Sequence, residues 1–151
     1  MALDDDIRIL GTVGLFEPLK HEQLRLLAFG AERLTLRAGR ELYRESQAAD
    51  CAYVVAAGSI ALARASASGP IRIKSVGVGS ILGEMALIAP TKRLTGATAE
   101  TDAEVIRISR LLFRRILEEY PEVAAALHEH IAADLLELTD QIARLSRHFD
   151  D

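Results

Sequence analysis

The sequence predicts a mainly β domain flanked by α-helices, and three observations carry that expectation. Between residues 32 and 109, short apolar or alternating runs follow one another at the spacing of a β-sandwich or barrel. Before and after that stretch the apolar residues recur with the helical period. Glycine and proline punctuate the middle of the chain, and neither occurs after Pro121. The 151 residues are therefore expected to form one domain, with N-terminal helices over 1–31, strands over 32–109 and C-terminal helices over 110–151.

From Asp5 to Phe29 the pattern is that of short helices. Leu10, Val13, Leu15 and Phe16 are apolar, Pro18 interrupts, and Leu19, Leu24, Leu26 and Leu27 mark a second amphipathic piece. Gly30 stands where a helix C-cap would. Strands are expected at Arg33–Leu36, Glu41–Tyr43, Ala52–Ala57, Ser59–Arg64, Ile71–Val76, Ile81–Leu82, Gly96–Ala99 and Ala103–Ser109. The Glu45-Ser46-Gln47 segment, Gly58, the Ser66 to Pro70 loop and Gly79 supply the turns between them. Beyond Arg110, Leu111, Phe113, Ile116 and Leu117 make a helical face. Pro121 then starts a new helix or kinks this one, and one long helix is expected from Val123 onward.

Composition narrows the function classes. Half of the chain is apolar, and 18 basic against 22 acidic residues leave a net charge of -4. A general nucleic-acid binder normally carries a basic face, and no basic run suggests an anionic membrane surface. Cys51 is the only cysteine, so no intrachain disulfide is possible and a reducing compartment is expected. Met1 to Asp6 is acidic, unlike a signal peptide, and no stretch approaches the roughly 18 uncharged residues that span a bilayer. The expectation is a soluble, cytoplasmic chain without a membrane partner.

Ile131, Leu135, Leu138, Ile142, Leu145 and Phe149 alternate spacings of four and three, an a/d heptad seam. Asp134, Glu137, Asp140, Arg144 and Arg147 flank it. A helix packed on its own domain would need a broader apolar stripe, so a homodimer through this C-terminal helix is expected.

The segment Ile81 to Arg93 stands apart. Strand-like residues meet Gly83, then a helix-forming Glu84-Met85-Ala86-Leu87 turn, Pro90, and the basic pair Lys92-Arg93. A turn starting at Gly83 presents backbone N–H groups to an anion such as phosphate, and a glycine lets the ligand approach closely. Arg93, returning across the loop, suits a bidentate contact with phosphate oxygens. Glu84 accepts hydrogen bonds only, which fits a sugar hydroxyl. Spacing alone leaves open a tight turn with a Glu84–Arg93 surface pair.

Helices, then a β-roll, then Gly83-Glu84-Met85-Ala86-Leu87 with Arg93 nine residues beyond Glu84, then a long helix, resemble the cyclic nucleotide-binding domain family. The resemblance runs from Leu15-Phe16 through Tyr53 to Gly58 and Val78 to Glu84, ending at Ile108-Ser109. It implies a β-roll, that is a jelly roll or double-stranded β-helix. It also implies a regulatory binding module rather than an enzyme, with no cofactor or metal beyond the nucleotide. Glu84 would take the ribose 2′-hydroxyl, Arg93 the cyclic phosphate, and the amides of Gly83 to Ala86, Met85 included, would cap that phosphate. Counting without gaps from Phe113 and Pro121, Leu138 and Thr139 match the positions that close over the base in dimeric bacterial members.

The chain departs from the family in two places. Leu82 precedes the glycine, and Leu94 follows the arginine where a small residue is usual, so no hydroxyl is offered to the phosphate or to a guanine amino group. Thr95 is the candidate substitute, although on a strand it would point the other way, and both Leu94 and Thr95 are counted among the expected ligand-binding residues. The expected ligand is therefore cAMP ahead of cGMP. Family members that activate transcription carry a DNA-reading domain after the long helix. Here the chain stops at Asp151, so no DNA binding by this chain alone is expected. Met1 suggests a natural start, and the end fits either a stand-alone sensor or a piece of a longer regulator. The alternative class is a dimerisation module of the same fold that binds no nucleotide.

Other signals carry little. His128 and His130, two apart, fall on different sides of a helix and suit no metal. Gly77-Val78-Gly79 lacks the helix and acidic residue of a dinucleotide loop. Cys51 reads as a small buried cysteine.

Overall fold

The computed structural model describes residues 2–129. Helix α1 (Ala2–Gly11), a 3-10 turn (Gly14–Phe16) and helix α2 (His21–Gly30) precede ten strands. These are β1 (Glu32–Leu36), β2 (Glu41–Tyr43), β3 (Ala48–Ala49), β4 (Cys51–Ala57), β5 (Ile60–Arg64), β6 (Ile71–Val76), β7 (Ile81–Leu82), β8 (Thr91–Lys92), β9 (Gly96–Ala99) and β10 (Ala103–Ser109). A second 3-10 turn, Glu84–Leu87, lies between β7 and β8, and helix α3 (Arg110–Glu119) follows β10. Residues 121–129 are helical, with Pro121 opening a new helix rather than kinking α3. The dimer seam Ile131, Leu135, Leu138, Ile142, Leu145 and Phe149, together with Thr139 and His130, falls outside the described residues.

The strands form two four-stranded antiparallel sheets, ordered β1-β10-β4-β7 and β2-β9-β5-β6, plus the β3-β8 pair. This is the expected roll. Strand β4 shows why it closes. Nearly all of Cys51–Ala57 is buried, so both faces of the strand are covered. Ala52, Val54 and Ala56 pack with Ile106, Ile108 and the helices, whereas Cys51, Tyr53 and Val55 turn into the roll against Ile60, Leu62, Ala97 and Ala99.

On the helix side, Leu10, Leu27, Phe16, Phe113, Ile116, Val123 and Leu127 make one apolar cluster. Gly30 is the last residue of α2 and not a left-handed cap. A Cβ there would run into Leu112, so the glycine admits α3 instead. Ser109 caps α3, its side chain accepting from Leu112 N at 3.1 Å. Among the described residues no helix is long and apolar enough to cross a membrane.

The β3-β8 pair is too short for any sequence period to reveal, yet it places the site. Ala48 pairs with Lys92 and Ala49 with Thr91. The ladder continues one step further. Arg93 N donates to Gln47 O at 2.8 Å, and Ser46 N donates to Arg93 O at 2.8 Å. The Glu45-Ser46-Gln47 turn, with Ser46 at φ 69°, therefore clamps the backbone of Arg93 from both sides.

Candidate anion and nucleotide site

A cavity of about 570 Å³ opens beside the Glu84–Leu87 turn. Gly83, Glu84, Met85, Arg93, Leu94 and Thr95 all line it, so the structure brings together six of the residues singled out in the sequence. Ala86 does not line it. Its side chain is fully buried and its N–H donates to Gly83 O at 3.0 Å. The turn uses that amide internally.

Gly83 sits at φ 74°, ψ 37°, the left-handed region that favours glycine, and a Cβ there would collide with Nη1 of Arg93. The glycine thus serves the turn and lets the arginine approach. Arg93 is no surface cation, since only 7% of it is exposed. Its Nη2 donates to Cys51 O at 2.8 Å and lies 3.3 Å from Cys51 Sγ. Nη1 is the one buried side-chain N or O atom among the described residues that has no hydrogen-bond partner. No carboxylate lies within ion-pair range of Arg93 among those residues either. A buried cation left this way is costly unless something supplies the missing acceptor.

Two tyrosines surround the guanidinium. Its Cζ stands 4.4 Å from the centre of the Tyr43 ring and 5.4 Å from that of Tyr53. Burial pushes the Tyr43 phenol above its ordinary value against the opposing pull of Arg93 and of the Thr95 side chain. Burial, with the Cys51 thiol next to it, pushes Tyr53 up to about 12.

Leu94 and Thr95 lie in a bend between β8 and β9, not on a strand. Strict alternation therefore does not apply, and Thr95 faces the same cavity as Leu94 and Arg93, contrary to the sequence expectation. Leu94 is 83% exposed at the rim. Tyr43, Leu62 and Lys74 also line the cavity. Sequence reasoning passed over these three. Lys74 pairs in register with the buried Leu62 only because the β5-β6 ladder shifts between Leu62 and Ala63, a bulge that regular counting across the hairpin does not reveal.

The turn is tied to the helices as well as to the roll. Leu87 is buried in the helix-side cluster. Arg110, the first residue of α3, donates through Nε to Ala86 O at 2.7 Å and through Nη2 to Ala49 O at 2.8 Å.

Known proteins share this pattern. The family model for the cyclic nucleotide-binding domain matches residues 33–120. The structure of a cyclic nucleotide-binding-like protein from Brucella abortus is 69% identical, covering 76% of this chain and 99% of that one, with a TM-score of 0.72. Lysophospholipase NTE1 of Chaetomium globosum is 26% identical over 113 residues, which are 74% of this chain and 7% of that protein. A CRP-like cAMP-activated global transcriptional regulator of Mycobacterium tuberculosis is 21% identical over 138 residues, or 91% of this chain and 62% of the regulator. The chain thus spans less than two thirds of either curated relative. The matched segment takes in all ten strands except for one residue, the whole Glu84–Leu87 turn and Arg93, and on that match the chain belongs to the cyclic nucleotide-binding domain family.

Proposed function

We propose that the chain is a regulatory module that binds a cyclic nucleotide, cAMP ahead of cGMP, in the cavity beside Gly83. The observation that carries this reading is the unsatisfied Nη1 of the buried Arg93, directed at the N-terminal end of the Glu84–Leu87 turn. A cyclic phosphate there completes the arginine's hydrogen bonding and meets the early amides of the turn. Glu84 takes a ribose hydroxyl, and the base lies along the wall that includes Leu62 and Lys74. The Mycobacterium tuberculosis relative is, by its name, cAMP-activated, which agrees with the order of ligands.

Ligand state passes to the C-terminal helices because the turn is held by them. A phosphate that draws the turn toward Arg93 pulls on Arg110 and Leu87, and hence on α3 and the helix after Pro121. The heptad seam from Ile131 to Phe149 supports a homodimer as the readout.

Calorimetric titration of the full chain with cAMP and cGMP tests the proposal. Heat is expected for both, with tighter binding of cAMP, and Arg93→Ala should weaken cAMP binding by about 100-fold, as loss of a charge-assisted phosphate contact implies. No heat with either nucleotide from a folded protein would sink the sensor reading. A monomer in sedimentation equilibrium would remove the dimer from it.

A further inference from the structure

Resting on that reading, we infer that Tyr43 and Tyr53 are positioning residues: an aromatic tray that holds the Arg93 guanidinium in one plane and so aims its free Nη1 at the phosphate turn. The argument begins with the cost of the arginine. Among the described residues it has no carboxylate within ion-pair range, and it is nine-tenths buried, so bulk water and a neighbouring carboxylate do little there to offset its charge. What replaces them on the inner side is the face of Tyr43, 4.4 Å from Cζ, with Tyr53 at 5.4 Å. Desolvated cation–π contacts are strong enough to hold such a group.

Geometry converts holding into aiming. The guanidinium is planar, with its donors in a fixed fork. One prong, Nη2, is anchored on Cys51 O at 2.8 Å, and the ring of Tyr43 fixes the plane. The remaining prong can then point in only one direction, toward Gly83. The two rings are themselves stacked, with centres 6.0 Å apart and planes 23° from parallel, so each steadies the other. An arginine aimed before the ligand arrives has no rotamer search to complete on binding. Simple core packing would ask only for apolar volume at 43 and 53. Aiming asks for an aromatic face.

The test compares Tyr43→Phe, which keeps the face, with Tyr43→Leu, which keeps apolar bulk alone. In the ligand-free full chain, nitrogen-15 NMR should show separately resolved Arg93 guanidinium Nη signals. These are expected to survive Tyr43→Phe and to collapse together in Tyr43→Leu. Affinity for cAMP should stay within about twofold in the first variant and fall about tenfold in the second. Tyr43→Leu should add nothing in an Arg93→Ala background, because the ring acts through the arginine. Should Tyr43→Leu fail to fold, Tyr53→Leu supplies the same comparison against Tyr53→Phe. Unchanged Nη signals in a folded leucine variant, or equal weakening by phenylalanine and leucine, would overturn the tray. If the wild type binds neither nucleotide, the nucleotide reading fails, while the NMR comparison still decides whether the rings hold the arginine.

Discussion

Strand β4 lends Ala52, Val54 and Ala56 to the helices and Cys51, Tyr53 and Val55 to the inside of the roll, so two cores built on one strand can be compared directly. The helix-side cluster is apolar, and the buried polar residues of its helices, Asp6 and Gln23, are both hydrogen-bonded. Phe16 and Phe113 meet at 6.0 Å with rings tilted by 48°, and Leu10, Leu27 and Leu127 close around them. At its edge Arg33 holds Asp6 of α1 and, at 2.9 Å, Glu104 of β10. The roll interior sets Tyr43, Tyr53 and Cys51 among leucine, isoleucine, valine and alanine, and leaves a cavity. It also buries an arginine with an unused donor. One side of β4 is finished in the absence of ligand, and the other is not. Stability concentrated on the first side allows an unsatisfied cation on the second.

The largest effect expected from this contrast separates the two cores by stability. Phe113→Ala removes a fully buried ring and should lower the free energy of unfolding by about 3–5 kcal/mol, a large part of the roughly 5–15 kcal/mol that a domain possesses. Arg93→Met removes the uncompensated charge but keeps most of the volume. The ligand-free protein should then be as stable as the wild type, or more stable by about 1 kcal/mol, as apolar replacement of buried charge often is. Urea denaturation of both variants decides it. An Arg93→Met variant destabilised as much as Phe113→Ala would mean that the arginine is a structural member of the roll, and the contrast would fall.

A smaller effect, confined to the roll side, is the pH dependence that its polar groups bring. Tyr53 has its folded-state value raised from 10.0 to about 12, mainly by burial and next by the thiol of Cys51. A raised value means that the folded state holds the phenolic proton more tightly than the unfolded chain does. Its contribution is therefore fully present below pH 10 and is lost as pH rises toward 12. Tyrosinate absorbance should show Tyr53 ionising in that window. Tyr53→Phe should flatten the fall in stability there, and the same slope in wild type and variant would assign the dependence to other groups.

The division between the cores was partly readable beforehand. The apolar run Ala52–Ala57 and the short strands around it predict a sandwich or barrel, the family resemblance implies a roll, and the helical period at each end predicts the flanking helices. Gly83, Glu84 and Arg93 could be picked out because their chemistry is local and their spacing short. What escaped was whatever depends on two distant segments meeting. The β3-β8 pair has two residues per strand and hence no period, although it clamps Arg93. Tyr43 and Tyr53 looked like ordinary strand aromatics until the fold set both beside one guanidinium. Gly30 reads as a cap because glycine commonly ends helices, but its reason is Leu112, 82 positions away in sequence. Leu94 and Thr95 sit in a bend and not on a strand, so alternation fails there and Thr95 lines the cavity.

That last correction leads to the smallest expected effect, which concerns the choice between nucleotides rather than binding itself. Guanine carries a 2-amino group where adenine has only a hydrogen, and that amine can donate to a hydroxyl. Leu94, beside Arg93 at the rim, offers no acceptor, whereas Thr95 lines the cavity with a hydroxyl. Leu94→Ser places a hydroxyl next to the arginine without disturbing packing, because the leucine is 83% exposed. A neutral hydrogen bond that exposed is worth the lower end of its usual range, so the cGMP to cAMP affinity ratio should rise about threefold. Thr95→Val removes the hydroxyl that lines the cavity and should lower the ratio by less. If neither variant shifts it, discrimination lies elsewhere on the cavity wall. Lys74 is then the residue to change next, since an ammonium donates to the acceptor edge of a purine and keeps no amine in place.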